Sequence, residues 1–198
     1  MTNFTVSAQQ IKELRERTEA GISDVKKALE DAKGDMVRAR EYIERKLGGS
    51  GEKRAGRETT AGLVDAYIHS NGKIGVLVEI SCETDFVARN PAFKELTHDI
   101  AMHIAAMRPL YLSLDVVPKD MWQMEKERFE EEVKALNKPP AIFQEIVNGK
   151  LKAYFGALAL LEQPFVKDQD KTVGIMLKEA IGKFGENIKV GRFVRLEI

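Results

Sequence analysis

Residues 84–90 contain the most informative side chains of this sequence, an acid followed by a large apolar ring. Asp85 and Phe86 stand shortly after the β-like run 74–81. An aromatic side chain at the end of a strand is suited to insertion between elements of another protein, and a neighbouring carboxylate can perturb a cation or a phosphate-binding loop there. The alternative is a turn in which Phe86 packs into the local core. Residue types alone favour that alternative, because most Phe side chains are buried.

Glu83 and Asp85 are two residues apart, so in an extended segment both carboxylates would point the same way. Such a pair suits acid–base catalysis or metal binding. No pocket glycine, histidine or further carboxylate accompanies them in this segment. A solvated loop edge is therefore the favoured interpretation, and an enzyme that acts through the two carboxylates is kept as an alternative.

The histidines and the single cysteine are the other candidates for chemistry. His98 and His103 are five residues apart on one predicted helix, which places them roughly 140° apart around its axis and prevents them from sharing a metal ion. We expect His103 at the boundary of the apolar face, His69 in solvent beside a turn, and Cys82 buried and unreactive. No catalytic residue, metal ligand or cofactor is predicted.

The composition favours a protein partner. The 198 residues include 31 Lys plus Arg and 31 Asp plus Glu, so no net basic field would attract the chain to nucleic acid. One cysteine cannot form an intrachain disulfide, which suits a reducing compartment. No apolar run reaches membrane-spanning length, and the N-terminus lacks the features of a signal peptide. We expect a cytoplasmic protein without membrane contact, and an organellar mature form stays open.

The first predicted helix has two start signals. Ser7 and Gln10 form a capping box, and Val6 and Ile11 have the spacing of a hydrophobic staple. We therefore expect this helix to run from about residue 8 to about residue 18.

Two more helices are predicted before residue 48. Gly21 ends the first helix, and Gly34-Asp35 ends a second and caps a third. The two later helices show apolar stripes made by Val25, Leu29 and Ala32 and by Met36, Ala39, Ile43 and Leu47. Three short helices over residues 1–47 predict a small bundle similar to a ubiquitin-associated domain.

Residues 48–57 combine glycine with charge and show no apolar periodicity, which predicts a flexible linker. The run follows a predicted helix and matches no phosphate-binding glycine motif. We interpret it as a tether between the bundle and a second domain, residues 58–198. Its basic residues leave one alternative open, a ribosome- or nucleic-acid-associated adaptor that binds through Lys53, Arg54 and Arg57.

The second domain begins with a predicted β-hairpin. Residues 63–69 and 73–81 are rich in β-forming side chains and flank Ser70-Asn71-Gly72, a strong hairpin signal. A helix is expected to start at Asn90-Pro91. Its apolar stripe consists of Phe93, Leu96, Ile100, Ile104 and Met107. The segment around Phe86 is thus expected in a short connection, held at both ends by elements with buried faces.

The remaining elements complete an α+β domain. The charged segment 121–136 predicts a long solvated helix that ends before Pro139-Pro140. Further helices are expected over 141–157 and 172–184, and a half-exposed strand over 188–198. That strand pairs most simply with the hairpin. The predicted fold is therefore a three-stranded antiparallel sheet covered by helices, preceded by the three-helix bundle.

These motifs resemble one known family. Similarity to the signature of elongation factor Ts is carried by Glu83-Thr84-Asp85-Phe86-Val87-Ala88-Arg89-Asn90. Similarity to the family's N-terminal helical domain is carried by Ile11-Lys12-Glu13-Leu14-Arg15-Glu16-Arg17-Thr18 together with Lys26-Lys27-Ala28-Leu29. Similarity to the C-terminal part of the family is carried by Glu162-Gln163-Pro164-Phe165-Val166-Lys167-Asp168, Gly185-Glu186-Asn187-Ile188 and Arg192-Phe193-Val194-Arg195. Because the motifs follow in one order from end to end, the chain is identified as a member of this family.

The resemblance implies a nucleotide-exchange factor that binds the GDP-bound and nucleotide-free forms of the translational GTPase elongation factor Tu. It implies a partner-binding site made of Thr84, Asp85, Phe86 and Val87. Phe86 would insert between helices of the GTPase domain, and Asp85 would disturb the Mg²⁺ environment there. Neither covalent chemistry nor direct contact with nucleic acid is implied.

The resemblance also implies a second contact surface in the bundle, where Arg15 and Ile22 match partner-binding positions of the family. Two residues depart from the family pattern, Glu19 in place of a usual glycine and Val25 in place of a common cysteine. The chain resembles the short form of the family, without the duplicated core half and the inserted coiled coil, and it ends at Ile198 without the usual tail. Short relatives compensate by pairing two copies, so a homodimer is expected.

Overall fold

The computed structural model describes residues 6–18, 20–54, 56–134 and 139–198. Within these ranges the helices are α1 (Ala8–Thr18), α2 (Ile22–Asp31), α3 (Met36–Arg54), α4 (Asp85–Ala88), α5 (Pro91–Met107), α6 (Lys119–Lys134), α7 (Pro140–Leu158) and α8 (Val173–Phe184). The strands are β1 (Ala61–Ile68), β2 (Ile74–Cys82), β3 (Pro164–Phe165), β4 (Asp168–Thr172) and β5 (Ile188–Glu197). The protein is therefore of mixed α+β class, as predicted.

The chain divides into two compact units, each made of separate stretches of sequence. The first unit contains Met1–Gly62, Ser81–Asn90 and Ile175–Lys189, and the second contains Leu63–Ile80, Pro91–Gly174 and Val190–Ile198. A division by packing does not show which stretches fold independently. The predicted domains 1–47 and 58–198 therefore stay a prediction.

The helix starts in the N-terminal bundle follow the local signals of the sequence. Gln10 N–H donates to Ser7 Oγ and Ser7 N–H donates to Gln10 Oε1, both at 3.1 Å, which confirms the capping box. Asp35 caps α3 by accepting from the N–H groups of Val37 and Arg38 at 3.0 and 3.1 Å. The core of the bundle consists of Leu14, Ala20, Val25, Ala28, Leu29, Ala39 and Ile43. The predicted contribution of Leu47 lies outside the described side chains.

Helix α3 is longer than the sequence predicted. It begins at Met36, after a left-handed turn in which Lys33 and Gly34 have φ angles of 51° and 83° and end α2, and it runs to Arg54. The prediction of a flexible linker is therefore wrong for residues 48–54, which are helical. Each glycine there costs about 1 kcal/mol of helix propensity. A helix whose first half is already packed needs no new nucleus, however, and gains one hydrogen bond for each residue added.

Strands β1, β2 and β5 form a three-stranded antiparallel sheet, as predicted, and their order in the sheet is β1-β2-β5. The hairpin of β1 and β2 closes around Gly72, which has a φ of 68° and donates its N–H to the His69 carbonyl at 2.8 Å. Helix α5 lies against one face of this sheet, where Arg195 Nε donates to the Ala105 carbonyl at 3.0 Å. The predicted pairing of the last strand with the hairpin thus holds, and one sheet face is covered.

Helix α5 buries its predicted apolar stripe except at the C-terminal end. Phe93, Ile100 and Ile104 are fully buried, and Leu96 is half-buried. Met107 is exposed, because it is the last residue of the helix and extends past the elements that cover the rest. The prediction for Met107 is therefore wrong.

His103 was expected at the boundary of this stripe and is instead completely buried. Val166, in the turn between β3 and β4, donates its N–H to His103 Nδ1 at 3.2 Å. The ring proton is therefore on Nε2, which donates to Gln163 Oε1 at 3.0 Å. Both ring nitrogens are satisfied, so burial is tolerated. The β3–β4 hairpin that supplies one partner is too short to be visible in the sequence pattern.

Helices α6 and α7 pack against each other around a core of their own. The sequence predicted a solvated helix here, and that prediction is wrong for one face, since Glu125, Phe129 and Val133 are buried at spacings of four residues. Trp122 stacks on Phe155 with ring centroids 4.6 Å apart and ring planes at 12°. Few apolar residues in a highly charged helix still form a buried stripe when they recur once per turn.

Candidate functional site

The segment around Phe86 forms the single-turn helix α4, where the sequence predicted a connection without secondary structure. Phe86 is 83% exposed, whereas the next residue, Val87, is only 4% exposed. Ala88 is buried as well. The turn is thus anchored by two small apolar side chains while the large ring projects into solvent. The alternative in which Phe86 packs into the local core is wrong.

Asp85 and Glu83 do not act as a pair. Asp85 begins α4 and is solvent-exposed, with an ion pair of 3.7 Å to Arg89 one helical turn later. Glu83 is mostly covered, and its Oε1 accepts from the Asn187 N–H at 2.6 Å. The expectation that the two carboxylates point the same way is wrong, because helical backbone begins at Asp85 and breaks the extended alternation. No acid–base arrangement results.

Thr84 joins the end of β2 to α4 and is held by a distant part of the chain. Its backbone is extended, with φ −132° and ψ 155°, and its side chain makes no capping bond to α4. Instead, its hydroxyl donates to Glu186 Oε1 at 2.6 Å and its N–H donates to Glu186 Oε2 at 3.0 Å. The Thr84 carbonyl accepts from the Ala88 N–H at 3.2 Å. Thr84 therefore connects Glu186 directly to the turn that carries Phe86.

Glu83 and Thr84 face Glu186 and Asn187 in a reciprocal arrangement. Each segment offers one Glu carboxylate to a backbone N–H of the other segment, Glu83 to Asn187 and Glu186 to Thr84. Asn187 Nδ2 also donates to the Arg57 carbonyl at 2.6 Å. Hydrogen bonds to ionised acceptors are among the stronger ones in proteins. We call these four residues, Glu83, Thr84, Glu186 and Asn187, the carboxylate clamp.

The sequence interpretation missed Glu186 and Asn187 as parts of the site. They entered the sequence interpretation only within a family motif, and the structural signal beside them is Gly185, which has a φ of 72° and ends α8. A glycine stop indicates a turn but not its neighbours in space. The contact with Thr84 spans 102 residues of sequence, and side-chain periodicity carries no information over that distance.

Cys82 is buried at the base of the segment, as predicted. Its Sγ lies 3.2 Å from the Thr84 carbonyl, to which it donates a weak hydrogen bond. Burial, and secondarily the nearby Glu186 carboxylate, raise the pKa of the Cys82 thiol. A thiol of raised pKa is a poor nucleophile at neutral pH, so this residue has a packing role.

The second predicted contact surface lies on the bundle. Arg15 is exposed on α1, and Ile22, the first residue of α2, is 56% exposed although it is apolar. Gly21 precedes Ile22 as the N-cap residue with an extended ψ of 142°. Both predicted side chains are thus accessible to a partner. The departure at Glu19 lies outside the described residues.

Other kinds of site find little support in the described part of the chain. No three His, Cys, Asp or Glu side chains among the described residues are grouped as metal ligands would be. Of the basic residues considered for an adaptor, Arg57 lies 3.5 Å from Glu83 and Arg54 is half-buried, while the side chain of Lys53 is not described. Within the described residues, no helix has the length and apolar character needed to cross a membrane.

Known proteins resemble this chain over nearly its whole length. A family model described as elongation factor TS matches residues 2–198. The chain belongs to the elongation factor Ts family. Elongation factor Ts of Fervidobacterium nodosum is 50% identical over 193 residues, which cover 98% of this chain and 98% of that protein. Elongation factor Ts of Thermotoga petrophila is 49% identical over 193 residues, or 98% of this chain and 96% of that protein. Elongation factor Ts of Carboxydothermus hydrogenoformans is 50% identical over 195 residues, or 98% and 89% respectively.

Proposed function

We propose that this chain is a guanine-nucleotide exchange factor that binds elongation factor Tu, in its GDP-bound and nucleotide-free forms, and promotes GDP release during translation elongation. Membership of the elongation factor Ts family supports this function. The observation that carries it is the exposed Phe86 ring on a turn anchored by buried Val87 and Ala88. A large aromatic ring in solvent has no stabilising role in the free protein, and such rings are typical anchors of protein interfaces.

The proposed mechanism acts on the Mg²⁺ and phosphate site of the partner. Phe86 inserts between helices of the GTPase domain, and the adjacent Asp85 carboxylate disturbs the Mg²⁺ environment. Mg²⁺ requires near-ideal octahedral oxygen geometry, so a small displacement of its ligands or waters weakens the site. Asp85 is suited to this role because its carboxylate is exposed and its ion pair with Arg89 is a surface pair of low stability. No covalent chemistry is involved.

Thr84 and Val87 support this action from inside the factor. Val87 is buried, so we assign it the role of anchoring α4 rather than that of a direct contact. Thr84 fixes the start of α4 through its contacts with Glu186. Arg15 and Ile22 form a second contact with the GTPase domain, and segments after residue 100 contact another domain of the partner. These assignments rest on the family resemblance and on the exposure of the two bundle side chains.

Exchange follows from thermodynamic linkage between the factor and the nucleotide. If the factor weakens GDP binding by some ratio, GDP weakens binding of the factor by the same ratio. The factor therefore accelerates approach to equilibrium without choosing between GDP and GTP. The nucleotide ratio of the cytoplasm, where we propose that the protein acts, sets the direction.

We also propose that the factor is a homodimer formed through the open face of the sheet. In the second unit, Asp65 and Arg195 point to α5, since Asp65 Oδ2 lies 3.0 Å from His98 Nδ1 and Arg195 bonds to Ala105. Side chains alternate across a strand, so their neighbours lie on the opposite face. That face exposes the apolar residues Val64, Ile68, Leu77, Val194 and Leu196. We call these five residues the open sheet face.

A second copy of this chain fits the open sheet face better than a charged partner does. Glu79 and Arg192 form an ion pair at 3.1 Å on β2 and β5, so opposite charges there already neutralise each other. A twofold interface brings the same patch of both copies together and requires a surface that does not repel itself. Two sheets packed face to face, about 10 Å apart, would bury both apolar faces.

Release of a fluorescent GDP from elongation factor Tu tests the proposed exchange activity. Catalytic amounts of the chain should speed the release, with a rate that rises and saturates as the factor is added. An unchanged release rate at saturating factor would refute the function.

A salt titration of nucleic-acid binding distinguishes the adaptor alternative, which requires affinity that falls steeply with salt. An activity screen without any GTPase distinguishes the enzyme alternative.

A further inference from the structure

We propose that Glu186 is a positioning residue for nucleotide exchange, acting through Thr84 to hold the turn that presents Phe86. This inference rests on the proposed exchange function. Glu186 lies between the end of α8 at Phe184 and the start of β5 at Ile188, and it is only half-exposed. We expect it to influence exchange without itself contacting the partner.

The contact geometry shows why α4 needs external support. A helix of four residues, Asp85–Ala88, lies far below the length at which isolated helices hold together. Its direction is therefore set by what fixes its two ends. At the C-terminal end, Val87 and Ala88 are buried. At the N-terminal end, Thr84 is held by two hydrogen bonds to one carboxylate, that of Glu186.

The bidentate contact determines the conformation of Thr84 at the point where the chain turns into α4. The Thr84 N–H and hydroxyl both point to Glu186, and this requires the extended backbone that Thr84 adopts. An N-cap threonine normally uses its hydroxyl to accept from the first turn of its helix, and Thr84 does not. Loss of the carboxylate would let the hydroxyl turn toward the first turn of α4 and accept that capping bond. The side chain would rotate, and the entry angle of α4 would change with it.

The charge of a carboxylate strengthens this contact. Thr84 presents two donors, and the two oxygens of Glu186 accept one each. A glutamine could still bond to both groups of Thr84, because the hydroxyl can also accept a hydrogen bond, but its amide carries no charge. Glu186→Gln therefore keeps the size of the side chain but replaces two charge-assisted hydrogen bonds by weaker neutral ones. The reciprocal bond from the Asn187 N–H to Glu83 stays available to hold the surrounding fold.

The experiment compares Glu186→Gln with the matched variant Glu58→Gln in fluorescent-GDP release from elongation factor Tu. Glu58 is an exposed carboxylate of the same unit. We expect Glu186→Gln to slow exchange about tenfold, as the weakening of two charge-assisted hydrogen bonds to neutral ones would. Glu58→Gln should exchange at the wild-type rate. Melting temperatures of both variants should stay close to that of the wild type, because the buried residues around the turn are unchanged.

Two further measurements separate positioning from a general structural role. Hydrogen exchange should show faster exchange of the Thr84 amide in Glu186→Gln, with the Asn187 amide still protected. In a Phe86→Ala background, Glu186→Gln should add no further slowing, since there is no ring left to position. Equal slowing in both backgrounds, or a wild-type exchange rate for Glu186→Gln, would overturn the inference. If Phe86→Ala itself exchanges at the wild-type rate, the proposed mechanism fails instead, whatever Glu186→Gln does.

Discussion

Phe86 and Val87 are consecutive residues of one helical turn, yet the first is 83% exposed and the second 4% exposed. Burial of Val87 fixes the backbone of the turn, and the helical geometry then points the neighbouring ring away from the core. The two residues therefore separate the stability of the factor from its proposed action on a partner. A substitution at Phe86 should therefore reduce nucleotide exchange, whereas a substitution at Val87 should reduce folding stability.

Phe86→Ala should slow GDP release from elongation factor Tu about 30-fold or more, the effect of losing an interface hot spot of about 2 kcal/mol. Its melting temperature should stay nearly unchanged, because the ring is exposed. Val87→Ala is the matched comparison and should lose roughly 2 kcal/mol of folding stability, as truncation of a buried aliphatic side chain does. Thermal melts and exchange rates of both variants check this. Early melting of Phe86→Ala would contradict an interface role for the ring.

Excess Mg²⁺ should oppose the factor, because metal and factor stabilise competing states of one site. The release rate with wild-type factor should therefore fall as Mg²⁺ rises. Asp85→Ala should be slower at low Mg²⁺ and should respond less to the metal, with unchanged folding stability. Glu58→Ala, which removes another exposed carboxylate of the same unit, serves as control and should behave as wild type. A release rate indifferent to Mg²⁺ would rule out this coupling.

Leu196→Glu should convert the proposed dimer into a monomer, because it places a charge in the middle of an apolar interface. Leu196 is exposed in the single chain, so the monomer should fold normally. Val37→Glu, at an exposed apolar residue of the bundle, should leave the dimer intact. Light scattering at micromolar concentration measures the mass directly. A monomeric wild-type protein throughout that range would exclude the dimer.

Stability should decrease in mild acid because of His103. Burial lowers the pKa of His103 below its usual value of 6.5. Between the pKa of His103 in the folded chain and its pKa in the unfolded chain, the ring is neutral in the folded chain and protonated in the unfolded chain. The contribution of His103 to the free energy of unfolding is therefore fully present above about pH 6.5 and decreases as the pH falls below that value. The slope from this group is at most about 1.4 kcal/mol per pH unit. Urea unfolding at pH 7.5 and 5.5 should show a smaller difference for His103→Phe than for the wild type. An equal pH response of the two proteins would exclude His103 as the cause.

Local signals of the sequence were reliable where one short segment determines the structure. The Ser7 and Asp35 caps, the turn at Gly72 and the start of α5 at Pro91 lie where they were predicted. Each depends on one backbone conformation or one cap, and residue type specifies it directly. The pairing of the last strand with the hairpin was predicted as well, because a hairpin and one further strand allow few arrangements.

Features that depend on distant parts of the chain were not predicted. Burial of His103 depends on Gln163 and Val166, and the position of Thr84 depends on Glu186. In each case a polar group is satisfied by a partner far away in sequence, which no periodicity reports. The exposure of Phe86 likewise contradicted the favoured interpretation from residue type, because burial statistics describe the average Phe and not one held in solvent by its anchored neighbours.

Burial of Cys82 has a practical consequence for following the factor at work. It is the only cysteine of the chain, and its raised pKa leaves little thiolate to react with maleimides or spin labels. A cysteine introduced at an exposed position such as Val37 would therefore be modified selectively, without removal of the native one. Fluorescence or electron-spin distance measurements could then follow the bundle and elongation factor Tu through a full exchange cycle in otherwise unaltered protein.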